Sequence, residues 1–357
     1  MSNSGTQKLL AAIQALGDRP MTLMEVCGTH TMAIARSGLK TLLPGNIRLL
    51  SGPGCPVCVT PAEAIDGVLE LAMEKNVIIA SYGDMLRVPG STPGDSLLRR
   101  RALGAQVEIV YSPVDAVSLA KENPGREVVF LGVGFETTAP GTAAAVLTAQ
   151  EENVKNFSVL SMLKTVEPAL RTLIATEGFQ VDGFLCPGHV GSIIGEAGFR
   201  FLPEEYGLPG VIAGFAPEEI LLAVYHLAKQ ITEGSPRLEN DYRRAVRPEG
   251  NPLAQAMLKR CFVPRRALWR GLGSIDNSGL ALKEELAAFD AEKKFGLTAA
   301  PAAKPTACCC GDVICGRLSP EACPLFSRRC TPEDPVGPCM VSSEGACAAA
   351  YKYQSVE

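Results

Sequence analysis

Basic excess, long apolar runs and histidine are all scarce in this chain, and each shortage narrows what the chain can do. Its 34 lysines and arginines face 38 aspartates and glutamates, a formal net charge of −4. No basic field draws a phosphate backbone, so nucleic-acid binding is excluded as its main task. No apolar run nears the roughly 18 residues that span a bilayer, so no membrane segment is expected. Residues Met1–Lys8 hold no charged stretch leading into a clean apolar one, so no secretory signal is read and a cytoplasmic protein is expected. Gly132-x-Gly134 lacks the third glycine of a dinucleotide fingerprint; Thr137 stands there and no suitable acidic residue follows, which sets nucleotide binding aside. The rest is an ordinary globular balance, 46% apolar and 20% charged over 357 residues, long enough for two or three domains.

Short β-branched runs alternate with longer patterns of helical spacing. Strands are predicted at Thr22–Val26, Ile47–Leu50, Val77–Ser81, Val107–Tyr111, Glu127–Val133, Ser158–Met162, Gly183–Cys186 and Val211–Phe215. Helices are predicted at Pro61–Lys75, Pro113–Glu122, Glu167–Glu177 and Pro217–Glu233. The strands are continuously apolar rather than alternating, which implies parallel sheets covered on both faces. The Pro-Gly break at 123–125 suggests a division into two parallel-sheet α/β domains, 1–123 and 124–234. The third part, 235–357, holds an amphipathic helix over Leu280–Lys294, an Ala/Pro linker over Ala299–Thr306 and a cysteine-rich tail.

Polar residues of unusual type sit just past the predicted strands. They are Cys27 and His30, Cys55 and Cys58, Asp84, Glu136, and His189. In parallel α/β sheets, ligands bind outside the carboxyl ends of the strands, so a cleft between two units is the expected site. Two thiols spaced Cys55-x-x-Cys58 either form a reducible disulfide or chelate a metal, and a helix starting near Pro61 favours thiolate there. Cys27, His30, Cys55 and Cys58 also make a Cys₃His zinc set, and both readings stand. Asp84 and Glu136 can act as acid or base or as helix caps. His189 lies in a Pro-Gly-His loop; His226, the third histidine, falls inside a predicted helix.

Cysteine is the abundance that balances these shortages. Of 13, eight lie in the last 50 residues: Cys308, Cys309, Cys310, Cys315, Cys323, Cys330, Cys339 and Cys347. In a reducing compartment such density reads as metal ligation or redox chemistry rather than disulfides. The spacing Cys308-x14-Cys323-x6-Cys330-x16-Cys347 suits four thiolates on an iron–sulfur cluster, or on zinc, holding together a segment with no core of its own. Cys308, Cys309 and Cys310 compete for the first position.

Several segments together resemble the HypD family of [NiFe]-hydrogenase maturation factors. They are Met24-Glu-Val-Cys-Gly-Thr-His-Thr-Met32, Gly52-Pro-Gly-Cys-Pro-Val-Cys58, Ser81-Tyr-Gly-Asp-Met-Leu-Arg-Val-Pro89, Gly134-Phe-Glu-Thr-Thr-Ala-Pro140, Cys323-Pro-Leu-Phe326 and Met340-Val-Ser-Ser-Glu-Gly-Ala-Cys347. The resemblance implies two α/β domains and a C-terminal iron–sulfur domain. It also implies a HypC-type chaperone and a HypE-type cyanide donor as partners in assembling an iron with two cyanides and one carbon monoxide. Carried onto this chain, Cys27, Cys55 and Cys58 hold that iron with His30 nearby, and Cys308, Cys323, Cys330 and Cys347 bind a [4Fe–4S] cluster. The tail is then expected to fold back onto the α/β cleft. A thiol–disulfide or ferredoxin-linked oxidoreductase and a zinc-stapled interaction protein are the alternatives from other classes.

Overall fold

A computed structural model describes residues 3–297 and 307–353, so the Ala/Pro linker expected at 299–306 lies outside the described residues. The protein is α/β, with two sheets of parallel strands. Eight strands fall where the apolar runs predict them: β1 Met21–Glu25, β2 Ile47–Ser51, β3 Val77–Ser81, β4 Gln106–Ile109, β5 Glu127–Gly134, β6 Phe157–Leu163, β7 Gly183–Pro187 and β8 Gly210–Ala213. Three more were not anticipated: β9 Leu238–Asn240 and the antiparallel hairpin β10 Phe262–Trp269 and β11 Gly273–Leu282. The first sheet runs β2-β1-β7-β8-β9 and the second β4-β3-β5-β6.

Strand pairing crosses the expected division at residue 123 twice. Leu23 of β1 faces both Leu49 of β2 and Gly183 of β7, while β3 pairs with β5. The chain therefore starts the first sheet, leaves to build the whole second sheet, and returns. Asn123-Pro-Gly125 is a turn inside the second sheet. Helix Pro113–Glu122 ends there, Arg126 N donates to Asn123 O at 3.0 Å, and Asn156 bonds the same carbonyl.

The amphipathic helix expected over Leu280–Lys294 is not there. Leu280 and Leu282 pair with Pro264 and Phe262 across the hairpin, a 3-10 helix takes Glu284–Phe289 and one helical turn takes Ala291–Lys294. Strand pairing against the covered edge of β6, where Ser161 Oγ donates to Leu280 O at 2.6 Å, outweighs local helical spacing.

One contiguous core joins the two sheets. It includes Met24, Phe184 and Ile212 from the first, Ile79, Leu131 and Met162 from the second, and also Cys58, Cys310, Cys339 and Cys347. Separate cores lie on the outer faces, under Phe130 and Val146 on one side and Leu185 and Leu227 on the other. Each fully buried large apolar side chain contributes roughly 1.5–3 kcal/mol, so both sheets are tied firmly to their surroundings. The cysteine-rich tail is part of that shared core rather than an appendage. No helix among the described residues is long and apolar enough to cross a membrane.

Candidate functional site

In the first sheet, neighbouring strands β2, β1, β7 and β8 deliver Cys55, Cys27, His189 and Phe215 from their carboxyl ends. The loops after β1 and β2 are zipped together: Gly52 N donates to Glu25 O at 2.8 Å and Gly28 N to Gly54 O at 3.0 Å. Gly54 sits so close that a β-carbon there would overlap the Val26–Cys27 peptide. Gly54→Ala is therefore expected to cost about 3 kcal/mol or more, because backbone rather than a flexible side chain must move. A urea-unfolding midpoint equal to that of the parent chain would contradict this packing.

Cys27 is buried and caps helix Gly28–Ser37. No hydrogen bond to its sulfur closes this cap, although the nearby backbone N–H groups of His30 and Thr29 favour thiolate. Burial opposes them, helped by the charges of Glu344 and Glu25, and pushes the thiol up to about 12. Cys27 is thus a protonated thiol until a cation offsets the burial. Cys55 and Cys58 are joined as a disulfide with Cα atoms 5.2 Å apart. Cys55 caps helix Pro56–Val59, and its sulfur accepts Cys58 N at 3.2 Å.

His30 is wholly buried, and its Nε2–H donates to Gly214 O at 2.9 Å. A carbonyl can only accept, so the lone pair is left on Nδ1, which is buried with no partner. Burial pushes the imidazole down to about 4, so it is neutral at physiological pH. This is how a ligating histidine is usually oriented, with its other nitrogen fixed by a carbonyl. Phe215 lies between His30 and His189, with ring centres 4.7 and 4.0 Å away. His189 takes the exposed side of that stack.

Two carboxylates at this site were not singled out from the sequence. Glu25, buried at the end of β1, accepts Cys27 N at 3.1 Å and Thr31 Oγ1 at 2.5 Å, so it fixes the turn that carries Cys27. Glu344 comes from the tail, accepts Thr29 Oγ1 at 2.6 Å, and occupies the space a side chain at Gly28 would need. Both stand inside motifs that carry the family resemblance, but only the fold shows them bracketing Cys27.

Asp84 and Glu136 belong to the second sheet, not the first. Asp84 is exposed on the 3-10 turn Gly83–Arg87 after β3. Glu136 follows β5 and is buried; Oε1 accepts Val166 N at 2.9 Å, capping helix Val166–Ile174, and Oε2 has no partner. Burial raises this carboxyl to about 7. Because the folded value lies above the unfolded one, the folded state binds the extra proton between about pH 4.5 and 7. Stability therefore falls as pH rises through that window, by roughly 3 kcal/mol in all. Glu136→Gln, which keeps the cap, is expected to abolish this part of the fall, checked by urea midpoints at pH 5 and pH 7.5.

The tail packs directly on these loops. Helix Ala346–Tyr353 lies against helix Gly28–Ser37, and the short helices Cys310–Ile314 and Pro338–Val341 both contact Pro56–Val59. One small pocket is lined by six cysteines, Cys308, Cys310, Cys323, Cys330, Cys339 and Cys347, with Leu325, Phe326 and Met340. Hydrogen bonds from Cys308 and Cys339 hold the Cys310 thiol low, and Cys339 also reaches Cys347. A β-carbon at Gly337 would run into the Cys308 sulfur. Cys309 touches Cys323 from outside the pocket. Soft sulfur donors, an apolar wall and a glycine cradle suit a thiolate-bound metal cofactor.

Among the described residues, the ligand atoms of Cys, His, Asp or Glu that gather in threes within 4.8 Å are those of His226, Glu239 and Asp241, and no trio of tail sulfurs does so. Four thiolates on one zinc would stand about 3.8 Å apart.

Comparison with known proteins gives consistent results. A family model named HypD and described as "Hydrogenase formation hypA family" matches residues 4–354. The chain is 46% identical over 355 residues to "Hydrogenase maturation factor HypD" of Azotobacter vinelandii, covering 97% of this chain and 93% of that one. It is 44% identical over 351 residues to the protein of that name in Rhodobacter capsulatus, with coverage of 97% and 93%. With the protein of that name in Escherichia coli K12 it shares 44% identity over 341 residues, with coverage of 95% and 91%.

Proposed function

The chain belongs to the HypD family of hydrogenase maturation factors, and on that premise we propose that it handles the iron of the hydrogenase at Cys27, Cys55 and Cys58. Its substrate in this reading is an iron atom that acquires two cyanides and one carbon monoxide, assembled with a HypC-type chaperone and a HypE-type cyanide donor. The observation that carries the reading is the convergence of the Cys27 and Cys55-x-x-Cys58 loops on adjacent strand ends beneath a tail that brings a six-thiol pocket against them.

Cyanide and carbon monoxide bind low-valent iron, which prefers soft thiolate ligands. Cys27 supplies one, at the start of helix Gly28–Ser37 where nearby backbone N–H groups favour its thiolate. Opening the Cys55–Cys58 disulfide takes two electrons, delivered one at a time by two reduced low-potential carriers of ferredoxin type, and two protons from solvent, and yields two further thiols. His30 offers the Nδ1 lone pair from a fixed, neutral ring. Glu25 and Glu344 hold the Cys27 turn in place from either side. Glu136, carrying a carboxyl near half-ionisation at neutral pH, is assigned in this reading to taking up and giving a proton. Asp84 and His189, both exposed, are assigned to the rim that a partner protein meets.

Cys308, Cys323, Cys330 and Cys347 would hold a [4Fe–4S] cluster, with Cys310 and Cys339 as further thiols on the same pocket. When bound, the cluster supplies one-electron transfer beside the dithiol. Metal analysis of the chain purified without oxygen tests this reading. About four irons with acid-labile sulfide per chain are expected; stoichiometric zinc with no sulfide would replace the cluster by a zinc staple.

A further inference from the structure

A cavity of about 310 Å³ opens between helix Ala62–Leu71, the end of β6 and the β10–β11 hairpin. Ala64, Met162, Ala267 and Leu268 give it apolar walls, and Glu63, Arg265, Arg266 and Glu292 also line it. Lys164, the residue just past β6, also lines it and is only 4% exposed. Its Nζ donates to Leu268 O at 2.8 Å and stands 5.2 Å from the centre of the Trp269 ring. Among the described residues no carboxylate pairs with it. Glu292, which lines the same cavity, is gripped through both oxygens by Arg265, and Arg266 is paired with Asp276.

Burying an ammonium without a carboxylate costs several kcal/mol unless it sheds its proton. Burial, with the neighbouring Arg265 charge second, brings the Lys164 amine down to about 7. About half of it is then the free base at neutral pH, against roughly one part in 2,500 for an ordinary exposed lysine. A free amine on an apolar cavity wall is a nucleophile, which is the usual chemical use of a buried lysine. Arg265 is already committed to Glu292 and to Ser161 O, so the walls offer a ligand carboxylate little welcome.

We infer that this cavity takes a short, uncharged aliphatic aldehyde or ketone, held through an imine to Lys164. The amine nitrogen attacks the carbonyl carbon, the carbon–nitrogen double bond forms, and the carbonyl oxygen departs as water with the two amine protons. No electrons are exchanged. This site shares no residue with the thiol site and does not depend on the iron-handling role.

The test uses the full chain at pH 7 with butanal and cyanoborohydride, which reduces any imine to a stable secondary amine, followed by peptide mass mapping. The Lys164 peptide is expected to gain the butyl group about a hundredfold faster than those of the exposed Lys40, Lys75 and Lys121; the lower basicity of Lys164 offsets part of its larger free-base fraction. Its rate should saturate with butanal concentration, and Ala64→Phe, which fills the cavity while keeping the amine, should bring it down to that of the exposed lysines. A Lys164 rate no higher than theirs would overturn the inference and leave the amine a structural donor to Leu268. A rate strictly linear in butanal would overturn it equally, without reliance on any variant.

Discussion

Cys55→Ala is expected to lower hydrogenase maturation by more than about a hundredfold while the chain still folds. Losing groups that merely orient metal ligands costs 10–100-fold, so loss of a ligand sets that range as a floor. The structural cost is small by comparison. Compared with parent chain kept reduced, removing one buried sulfur costs about 1 kcal/mol, a shift of roughly 2–4 °C in a protein of this size. Cys55 caps a helix of only four residues, so little regular structure depends on it. Activity of the matured hydrogenase and the melting temperature of the variant, read together, separate the two effects. Unchanged maturation would remove Cys55 from the site.

The second large effect concerns the tail. Cys323→Ala is expected to lose the cluster iron and to open residues 307–353 to protease at least about a hundredfold faster, while the two sheets stay protected. The described tail holds helices of eight residues or fewer, and segments of that kind hold shape through covalent or metal crosslinks. Pulse proteolysis with iron analysis reads both consequences. Because Glu344 would lose its fixed place against Thr29 and Gly28, the Cys27 turn should loosen as well. Equal protease resistance with full iron content would show that Cys323 does not hold the tail.

The parallel strands were legible because interior strands of a covered sheet must be apolar on both faces; β3 and β6 are buried along their whole length. What local pattern does not carry is which strand pairs with which. The break at 123–125 looks the same whether it separates domains or, as here, turns a helix back into its own sheet. The β10–β11 hairpin was missed for a related reason. β10 exposes most of its middle, Arg266 and Asp276 face solvent, and the buried residues of β11 are unevenly spaced, so Leu280 and Leu282 were read as one face of a helix.

At the site, the cysteines and His30 were legible because rare residue types stood just past strand ends. Glu25 and Glu344 were not, since a glutamate declares its role only through burial and partners. Glu344 lies 315 residues from Thr29, whose hydroxyl it accepts. Phe215 had no signal at all in sequence: it reads as the last residue of a strand, and only the fold places it between His30 and His189.

Infrared spectroscopy of the chain isolated without oxygen together with a HypC-type chaperone tests the proposed iron site most directly. Stretching bands of iron-bound cyanide and carbon monoxide are predicted, and they should vanish in both Cys27→Ala and Cys55→Ala while the sulfide content stays the same. Bands of undiminished strength in chains lacking these sulfurs would contradict the assignment of the iron to this site.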